Sequence, residues 1–170
     1  MEYARLERKG RGLALRTVWP KTKGKVIAYM DIDLSTGLEA FPLIVQKCLD
    51  GCDVATGSRH LSASLVDRSL KRAILSRVYN EFVRLFLRSR IHDHQCGFKA
   101  VRKDSFDKLA PLLKNENWFF DTELLIQAQR NGMTIAELPV RWSEDRMRKS
   151  TVRIVPTIRE YVLNVVRLMK

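Results

Sequence analysis

Val26-Ile-Ala-Tyr-Met-Asp-Ile-Asp33 is the stretch that decides the fold of this chain. Its first five residues are apolar and partly β-branched, a composition that predicts a short buried β-strand over Val26–Met30. Asp31 and Asp33 follow at the point where this strand ends. In open α/β sheets, ligands bind just beyond the carboxyl ends of the strands, so the two carboxylates mark the edge where we expect a site.

The segments around this strand alternate between strand patterns and amphipathic helix patterns. Further strands are predicted over Val54–Thr56, Phe98–Val101 and Thr134–Pro139, and helices over Glu39–Leu49, Asp67–Arg88, Lys103–Leu113, Asp121–Asn131 and Ile154–Met169. This alternation favours an α/β fold with a mainly parallel sheet flanked by helices. Residues 1–170 are expected to form a single domain, with residues 154–170 as an amphipathic C-terminal helix.

The composition excludes several classes of protein. The net charge is +12, but the basic residues concentrate in segments 1–25, 59–90 and 140–170, and the segments between them lean acidic. No nucleic-acid partner is expected, because no nucleic-acid-binding motif accompanies the charge. The longest runs without a charged residue have seven residues, too few for a transmembrane helix. Three cysteines fit reduced thiols in the cytoplasm better than a disulfide framework.

Asp31 and Asp33 are the candidate metal ligands. Hard cations such as Mg²⁺ or Mn²⁺ prefer carboxylate oxygens and keep positions open for substrate phosphates. In an extended chain the two side chains would point to opposite sides, whereas a turn after Asp31 would let both reach one ion. The alternative is that both are ordinary turn residues at a strand end.

Arginine and hydroxyl side chains form a candidate phosphate-binding set. Arg59 follows a predicted strand, and Arg68, Arg72 and Ser76 lie four residues apart on the longest predicted helix. The alternative is a solvated helix face. Arg146 belongs to a basic loop that either closes over an anionic ligand or is simply solvated.

Two further segments with acidic residues are open to more than one interpretation. Asp121 and Glu123 begin a predicted helix, where they either cap the helix dipole or serve a function. Asp93 lies between His92 and His94, but the spacing of this cluster does not favour a zinc site.

Taken in order, these motifs resemble those of the family 2 glycosyltransferases of GT-A fold. The resemblance is to the polyprenyl-phosphate (dolichyl-phosphate) glucose and mannose synthases in particular. It rests on the blocks Lys9–Arg16, Tyr29–Thr36, Ala55–His60, Asp93–Lys99, Phe120–Leu124 and Glu137–Trp142. Each block is short, and the specificity lies in their order along the chain.

The resemblance implies an inverting, metal-dependent hexosyltransferase. Its donor would be a UDP- or GDP-linked sugar, its acceptor a polyprenyl phosphate, and its cofactor Mg²⁺ or Mn²⁺. The implied site residues are Asp31, Asp33, Asp93 and Asp121 for catalysis, the first two as metal ligands, and Arg59, Arg72, Ser76 and Arg146 for substrate binding. Ser35 stands where the mannose-type relatives often have a Gln, and this difference favours the glucose type.

The resemblance also implies a location and a departure from the family pattern. We expect a peripheral protein at the cytoplasmic face of a membrane, with the helix of residues 154–170 either at that surface or packed on the core. The family's first strands, with a Pro-x-Tyr-Asn-Glu-like motif, are not found in this sequence, so an N-terminally truncated GT-A domain is predicted. The alternative is an inactive fragment that acts at most as an interaction domain.

Overall fold

The computed structural model of the protein describes residues 3–144 and 154–170. Its alternating strands and helices confirm the predicted α/β class. The strands are β1 (Val26–Met30), β2 (Val54–Ser58), β3 (Leu65–Asp67), β4 (Phe98–Arg102), β5 (Ile135–Pro139) and β6 (Arg141–Ser143). The helices are α1 (Arg11–Val18), α2 (Ala40–Leu49), α3 (Leu70–Leu87), α4 (Lys103–Leu109), α5 (Phe120–Arg130) and α6 (Ile154–Met169).

The central sheet has the strand order β1-β4-β2-β5. Strands β2 and β5 are parallel, whereas β4 runs antiparallel to both β1 and β2. The sheet is therefore mixed: β1, β2 and β5 run in one direction, as expected of a mainly parallel sheet, and β4 runs against them. The reason is that the connection through α3 brings the chain back to the edge where β2 ends, and not to the edge where β2 begins. Strand β4 starts beside the end of β1, where the Asp31 backbone N–H donates to the Gly97 carbonyl at 3.0 Å.

This reversal decides where the site lies. Because β4 begins where β1 and β2 end, the loop that precedes it comes to the same edge of the sheet. That loop carries Asp93. The edge therefore collects side chains from three separate parts of the sequence.

Helices cover both faces of the sheet. Adjacent residues of one strand fall into different apolar clusters, because alternate side chains of a strand point to opposite faces. Val54 and Val101 pack with α4 and α5, whereas Ala55 and Ala100 pack with α2. A third cluster joins α3, α5 and α6 through Val83, Leu87, Phe119, Ile126, Val165 and Leu168.

The apolar face that the sequence predicts for α3 lies largely outward. Leu70 and Leu85 are 77% and 75% exposed, whereas Val83 and Leu87 hold the helix to the core. Helix α6 is similarly divided, since it buries Val165 and Leu168 and exposes most of its other apolar residues. The two alternatives for α6, packing on the core and exposure to a surface, therefore each describe one side of it.

Three local features were not predicted. Helix α1 lies in a segment for which the sequence indicated no helix, and β3 pairs with β6 in a small second sheet. Helix α4 is also shorter than predicted, because Pro111 has no N–H to continue it and the chain passes into a 3₁₀ turn, Ala110–Leu112.

Candidate functional site

The chain turns immediately after β1. The Leu34 N–H donates to the Asp31 carbonyl at 3.1 Å, and Leu34 has a positive φ of 52°. The Asp33 carboxylate accepts the Ser35 N–H at 3.1 Å and is otherwise open to solvent. This is the turn that would allow Asp31 and Asp33 to face one ion.

Arg11 joins two of the predicted site carboxylates. Its guanidinium donates to Asp31 and, at 2.8 Å, to Asp121. It also lies over the Trp118 ring, 4.1 Å from the ring centre. The pKa of Asp31 is raised, because burial and the nearby charge of Asp121 outweigh the opposing effect of Arg11.

Helix α1 brings Arg11 to this position through a close backbone contact. The N–H groups of Gly12 and Leu13 donate to the carbonyls of Asn117 and Glu116 at 3.2 and 2.8 Å. A Cβ on Gly12 would lie 2.3 Å from the Asn115 carbonyl oxygen, so only glycine permits the approach.

Asp121 is fully buried and has several partners. Besides Arg11, the Tyr29 hydroxyl donates to it, and the Lys99 ammonium lies 3.4 Å away. Lys99 is itself fully buried and donates to the carbonyls of His94 and Cys96. Asp121 thus lies beneath the site surface, with its carboxylate oxygens hydrogen-bonded to Arg11 and Tyr29.

Asp93 is fully buried and forms a two-pronged ion pair with Arg59. Its oxygens accept from Arg59 Nε at 2.7 Å and Nη2 at 2.9 Å, and from the backbone N–H of Arg59 at 2.9 Å. Burial alone would raise the pKa of Asp93, but the charge and hydrogen bonds of Arg59 hold it well below its usual value. Asp93 therefore remains ionised and fixes the direction of the guanidinium.

The remaining predicted substrate-binding residues lie at the start of α3. Arg72 is 3.0 Å from Glu144, and Ser76 Oγ is 3.1 Å from His60 Nε2. Since His60 directly follows Arg59, these contacts bring Arg59, Arg72 and Ser76 to one region. Arg146 lies outside the described residues.

The donor set at the end of β1 fits a hard divalent cation. In residues 3–144 and 154–170 no group of three or more His, Cys, Asp or Glu is placed to hold a metal ion. Asp31 and Asp33, at the two ends of the turn after β1, would supply two carboxylates and leave positions for phosphate oxygens and water, as Mg²⁺ sites commonly do.

Arg11, Tyr29, Lys99 and His60 were not predicted as site residues. All four lie within the sequence blocks that carry the family resemblance, but nothing in the local pattern indicated that Arg11 would reach Asp31. Their placement depends on contacts between segments far apart in the sequence.

Comparison with known sequences gives a consistent family. Residues 1–110 match the profile described as "Glycosyl transferase family 2". The chain is 44% identical over 137 residues to "Glycosyltransferase AglD" of Haloferax volcanii, covering 80% of this chain and 22% of that protein. It is 34% identical over 149 residues to a "Dolichyl-phosphate beta-glucosyltransferase" of Drosophila melanogaster, covering 82% and 45%. For a "Polyprenol monophosphomannose synthase" of Mycolicibacterium smegmatis the identity is 28% over 129 residues, covering 74% and 49%.

Solved structures give the same fold. Glucosyl-3-phosphoglycerate synthase of Mycobacterium tuberculosis with UDP superimposes with a TM-score of 0.63 at 19% identity, covering 95% of this chain and 56% of that one. The same enzyme with Mn²⁺, UDP-glucose and glycerol 3-phosphate gives a TM-score of 0.58 at 17% identity, covering 95% and 54%. The chain thus spans less than half the length of the curated relatives named above.

Proposed function

Because the chain belongs to glycosyl transferase family 2, we propose that it transfers a sugar from a nucleotide-diphosphate sugar to a polyprenyl phosphate. The activities named for the relatives, on dolichyl phosphate and polyprenol phosphate, support the acceptor class. The UDP-glucose of a solved structural neighbour supports the donor class. Ser35, which follows the pattern of the glucose-type relatives, favours glucose over mannose.

One observation carries the proposal: an acidic and a basic group of side chains lie at the same edge of the sheet. The acidic group consists of Asp31 and Asp33, and Arg11 donates a hydrogen bond to Asp31. The basic group is Arg59 and Arg72 with Ser76, which are the donors that a phosphate monoester requires. The acidic group would hold the cation that accompanies the nucleotide diphosphate, and the basic group next to it would bind the acceptor phosphate.

Asp31 and Asp33 would hold Mg²⁺ or Mn²⁺. Such a cation, when bound, supplies Lewis-acid stabilisation of the charge on the nucleoside diphosphate as it leaves. Arg11 would orient Asp31 toward the ion and add a further positive charge beside the diphosphate. Its position over Trp118 and between two carboxylates restricts its motion, so little reorganisation is needed as charge develops.

The acceptor side needs positioning more than proton transfer. A phosphate monoester has a second pKa of about 6 and is already largely anionic at pH 7. Arg59, fixed by Asp93, and the Ser76 hydroxyl would orient one phosphate oxygen toward the sugar carbon. The proposed reaction is a single displacement, which inverts the anomeric centre. Arg146 stays a proposed substrate-binding residue.

The outer faces of α3 and α6 suit an acceptor that resides in a membrane. In residues 3–144 and 154–170, every helix is too short or too polar to cross a bilayer. The two neighbouring helices nevertheless expose large apolar side chains, namely Leu70, Ile74, Val78, Leu85, Phe86, Ile158, Val162, Leu163, Val166 and Met169. Exposed Lys71, Arg77, Arg159 and Lys170 lie on the same helices or at their ends. Each basic residue near an anionic bilayer contributes about 1 kcal/mol to binding.

We therefore propose peripheral binding to the cytoplasmic face of a membrane. Vesicle flotation with and without phosphatidylserine tests it. Leu85→Glu and Val162→Glu are expected to reduce binding, whereas Leu43→Glu, at a 55% exposed site on α2, is the matched control. Equal losses in all three variants, or binding that ignores phosphatidylserine, would reject this orientation.

Transfer itself is tested on the purified chain with radiolabelled UDP-glucose or GDP-mannose, Mg²⁺ or Mn²⁺, and dolichyl phosphate in detergent. We expect label in the organic phase, and we expect a chelator to abolish it. If no donor yields product and neither UDP nor GDP with metal raises the melting temperature, the proposal fails. The chain is then an interaction domain without activity.

A further inference from the structure

A buried chain of hydrogen bonds leads from the loop before β4 to the start of α3. His94 is fully buried, and its Nε2 is 2.7 Å from Ser89 Oγ. On the other side of the ring, Nδ1 is 2.7 Å from the side-chain oxygen of Asn80, and the His94 backbone N–H donates to the same oxygen at 2.9 Å. The mechanism above uses none of these groups.

The His94 backbone fixes the orientation of the Asn80 amide. An N–H can only donate, so the Asn80 atom that faces it must be the oxygen, and Nδ2 must point the other way. Nδ2 accordingly donates to the Ser76 carbonyl at 2.9 Å and lies 3.3 Å from His60 Nε2. An amide nitrogen offers only hydrogens, and therefore His60 Nε2 faces it as an acceptor.

This contact determines the state of His60. With Nε2 as the acceptor, the ring is neutral and carries its hydrogen on Nδ1. Partial burial lowers the pKa of His60 below its ordinary value, and the charges of Arg68, Arg59 and Arg77 lower it further, against the opposing effect of Asp93. Ser76 Oγ lies 3.1 Å from the same Nε2.

The neutral ring controls where the Ser76 hydroxyl points. A serine inside a helix commonly bonds back to the carbonyl four residues earlier, which here belongs to Arg72. His60 Nε2 offers an alternative acceptor on the side of the site. When a phosphate arrives, the hydroxyl can turn to donate to it, and Asn80 keeps the Nε2 lone pair satisfied.

We propose that His60 is a positioning residue of the acceptor-phosphate site, which, backed by Asn80, holds the Ser76 hydroxyl ready to donate to the phosphate. This inference rests on the proposed function only in taking Ser76 as a phosphate ligand. Because Arg59 and His60 are consecutive, the end of β2 positions both the guanidinium and the hydroxyl of the site.

The state of His60 can be measured without any activity. The chain has 3 histidines, so the ring resonances can be assigned with His92→Gln and His60→Gln. In the wild type, the pKa of His60 is expected to lie below the ordinary value of a histidine side chain. Asn80→Asp places a carboxylate oxygen against Nε2, and the pKa of His60 is expected to rise by about one unit or more. If it does not rise in the folded variant, the assigned hydrogen-bond direction is wrong.

The positioning role is tested by binding of a soluble short-chain prenyl phosphate, measured by calorimetry on the full chain. His60→Ala is expected to weaken binding about tenfold, as for the loss of one aligned hydrogen bond to a charged group. His60→Gln, whose oxygen can also accept, is expected to restore part of it. In a Ser76→Ala background, His60→Ala is expected to have no further effect.

These measurements separate the two proposals. Full additivity of His60→Ala and Ser76→Ala, or unchanged binding in His60→Ala, overturns the positioning role. If Asn80→Asp does not fold, the double-variant comparison decides alone. Wild-type binding of the prenyl phosphate without sugar transfer overturns the proposed function and leaves the role of His60 intact. If the wild type does not bind the prenyl phosphate, the proposed role of His60 is rejected.

Discussion

The guanidinium of Arg11 is 2.8 Å from the carboxylate of Asp121, although the two residues lie 110 positions apart in the sequence. The same guanidinium donates to Asp31, which makes Arg11 the link between the proposed metal ligands and the buried polar interior. Its side chain is 14% exposed and that of Asp121 is fully buried. The buried ion pair between Arg11 and Asp121 therefore stabilises the fold and also fixes the position of Arg11 beside Asp31.

Arg11→Ala should therefore destabilise the fold. Removing one partner of a buried ion pair costs about 3–5 kcal/mol when nothing replaces it, and Lys99 and Tyr29 still contact Asp121, so we expect a loss of about 2 kcal/mol. Urea unfolding measures it. The control is Arg8→Ala, because the Arg8 side chain is 72% exposed and lies 3.4 Å from Glu116. We expect this substitution to change the free energy of unfolding by less than about 0.5 kcal/mol. Equal effects of both substitutions would contradict the importance of the buried pair.

Asp33→Asn is expected to abolish metal-dependent transfer and leave the stability unchanged. The Asp33 carboxylate is exposed and accepts one backbone N–H, so the fold does not depend on its charge. Mn²⁺ binding, followed by electron paramagnetic resonance, should weaken by at least about tenfold when one of two carboxylate ligands is lost. Asp50→Asn, at an exposed carboxylate after α2, should leave Mn²⁺ affinity unchanged. Wild-type Mn²⁺ affinity in Asp33→Asn would remove Asp33 from the metal site.

Asp93 is expected to give the protein acid sensitivity. Its folded pKa lies below the ordinary value, so it contributes stability that is fully present above the unfolded pKa of about 3.9. That contribution is lost as pH falls from about 5 through the folded value. Asp93→Asn should cost about 3 kcal/mol near pH 7, because Arg59 loses its buried partner. The difference from wild type should narrow toward pH 3 in urea titrations, and a difference independent of pH would contradict the assignment.

Arg72→Ala is expected to act on the acceptor and leave the donor unaffected. Arg72 lies one turn before Ser76 on α3, and its side chain is 44% exposed at 3.0 Å from Glu144. Loss of one charge-assisted phosphate contact should raise the acceptor KM about tenfold at unchanged donor KM. Lys47→Ala on α2 is the control and should change neither constant. A parallel rise of both KM values would place Arg72 outside the acceptor site.

Local sequence patterns predicted most of the strands and helices with good accuracy. Strand β1 and helix α6 have the predicted bounds, because apolar periodicity and β-branched composition act over short range. The edge where Asp31 and Arg59 lie was also predictable, because ligands bind where strands end. The spacing of Arg72 and Ser76 predicted that they would lie on one helix, and both lie on α3.

The direction of β4 was decided only by the tertiary structure. The alternation of strands and helices does not specify whether the connection between two strands makes them parallel or antiparallel. Here the connection through α3 leaves β4 antiparallel to β2. The outward apolar face of α3 was equally inaccessible from sequence, because periodicity shows that a face is apolar but not what covers it.

The partners of the site carboxylates were likewise decided by the tertiary structure. Arg11 reaches Asp31 and Asp121 because Gly12 lets α1 approach the backbone near Asn115, and His60 meets Ser76 because Asn80 is oriented by His94. Such contacts join distant segments, and their geometry depends on packing that no local pattern encodes. Local spacing thus determined which residue types are present at the site, and packing between segments decided which of them are paired, ionised and free to bind.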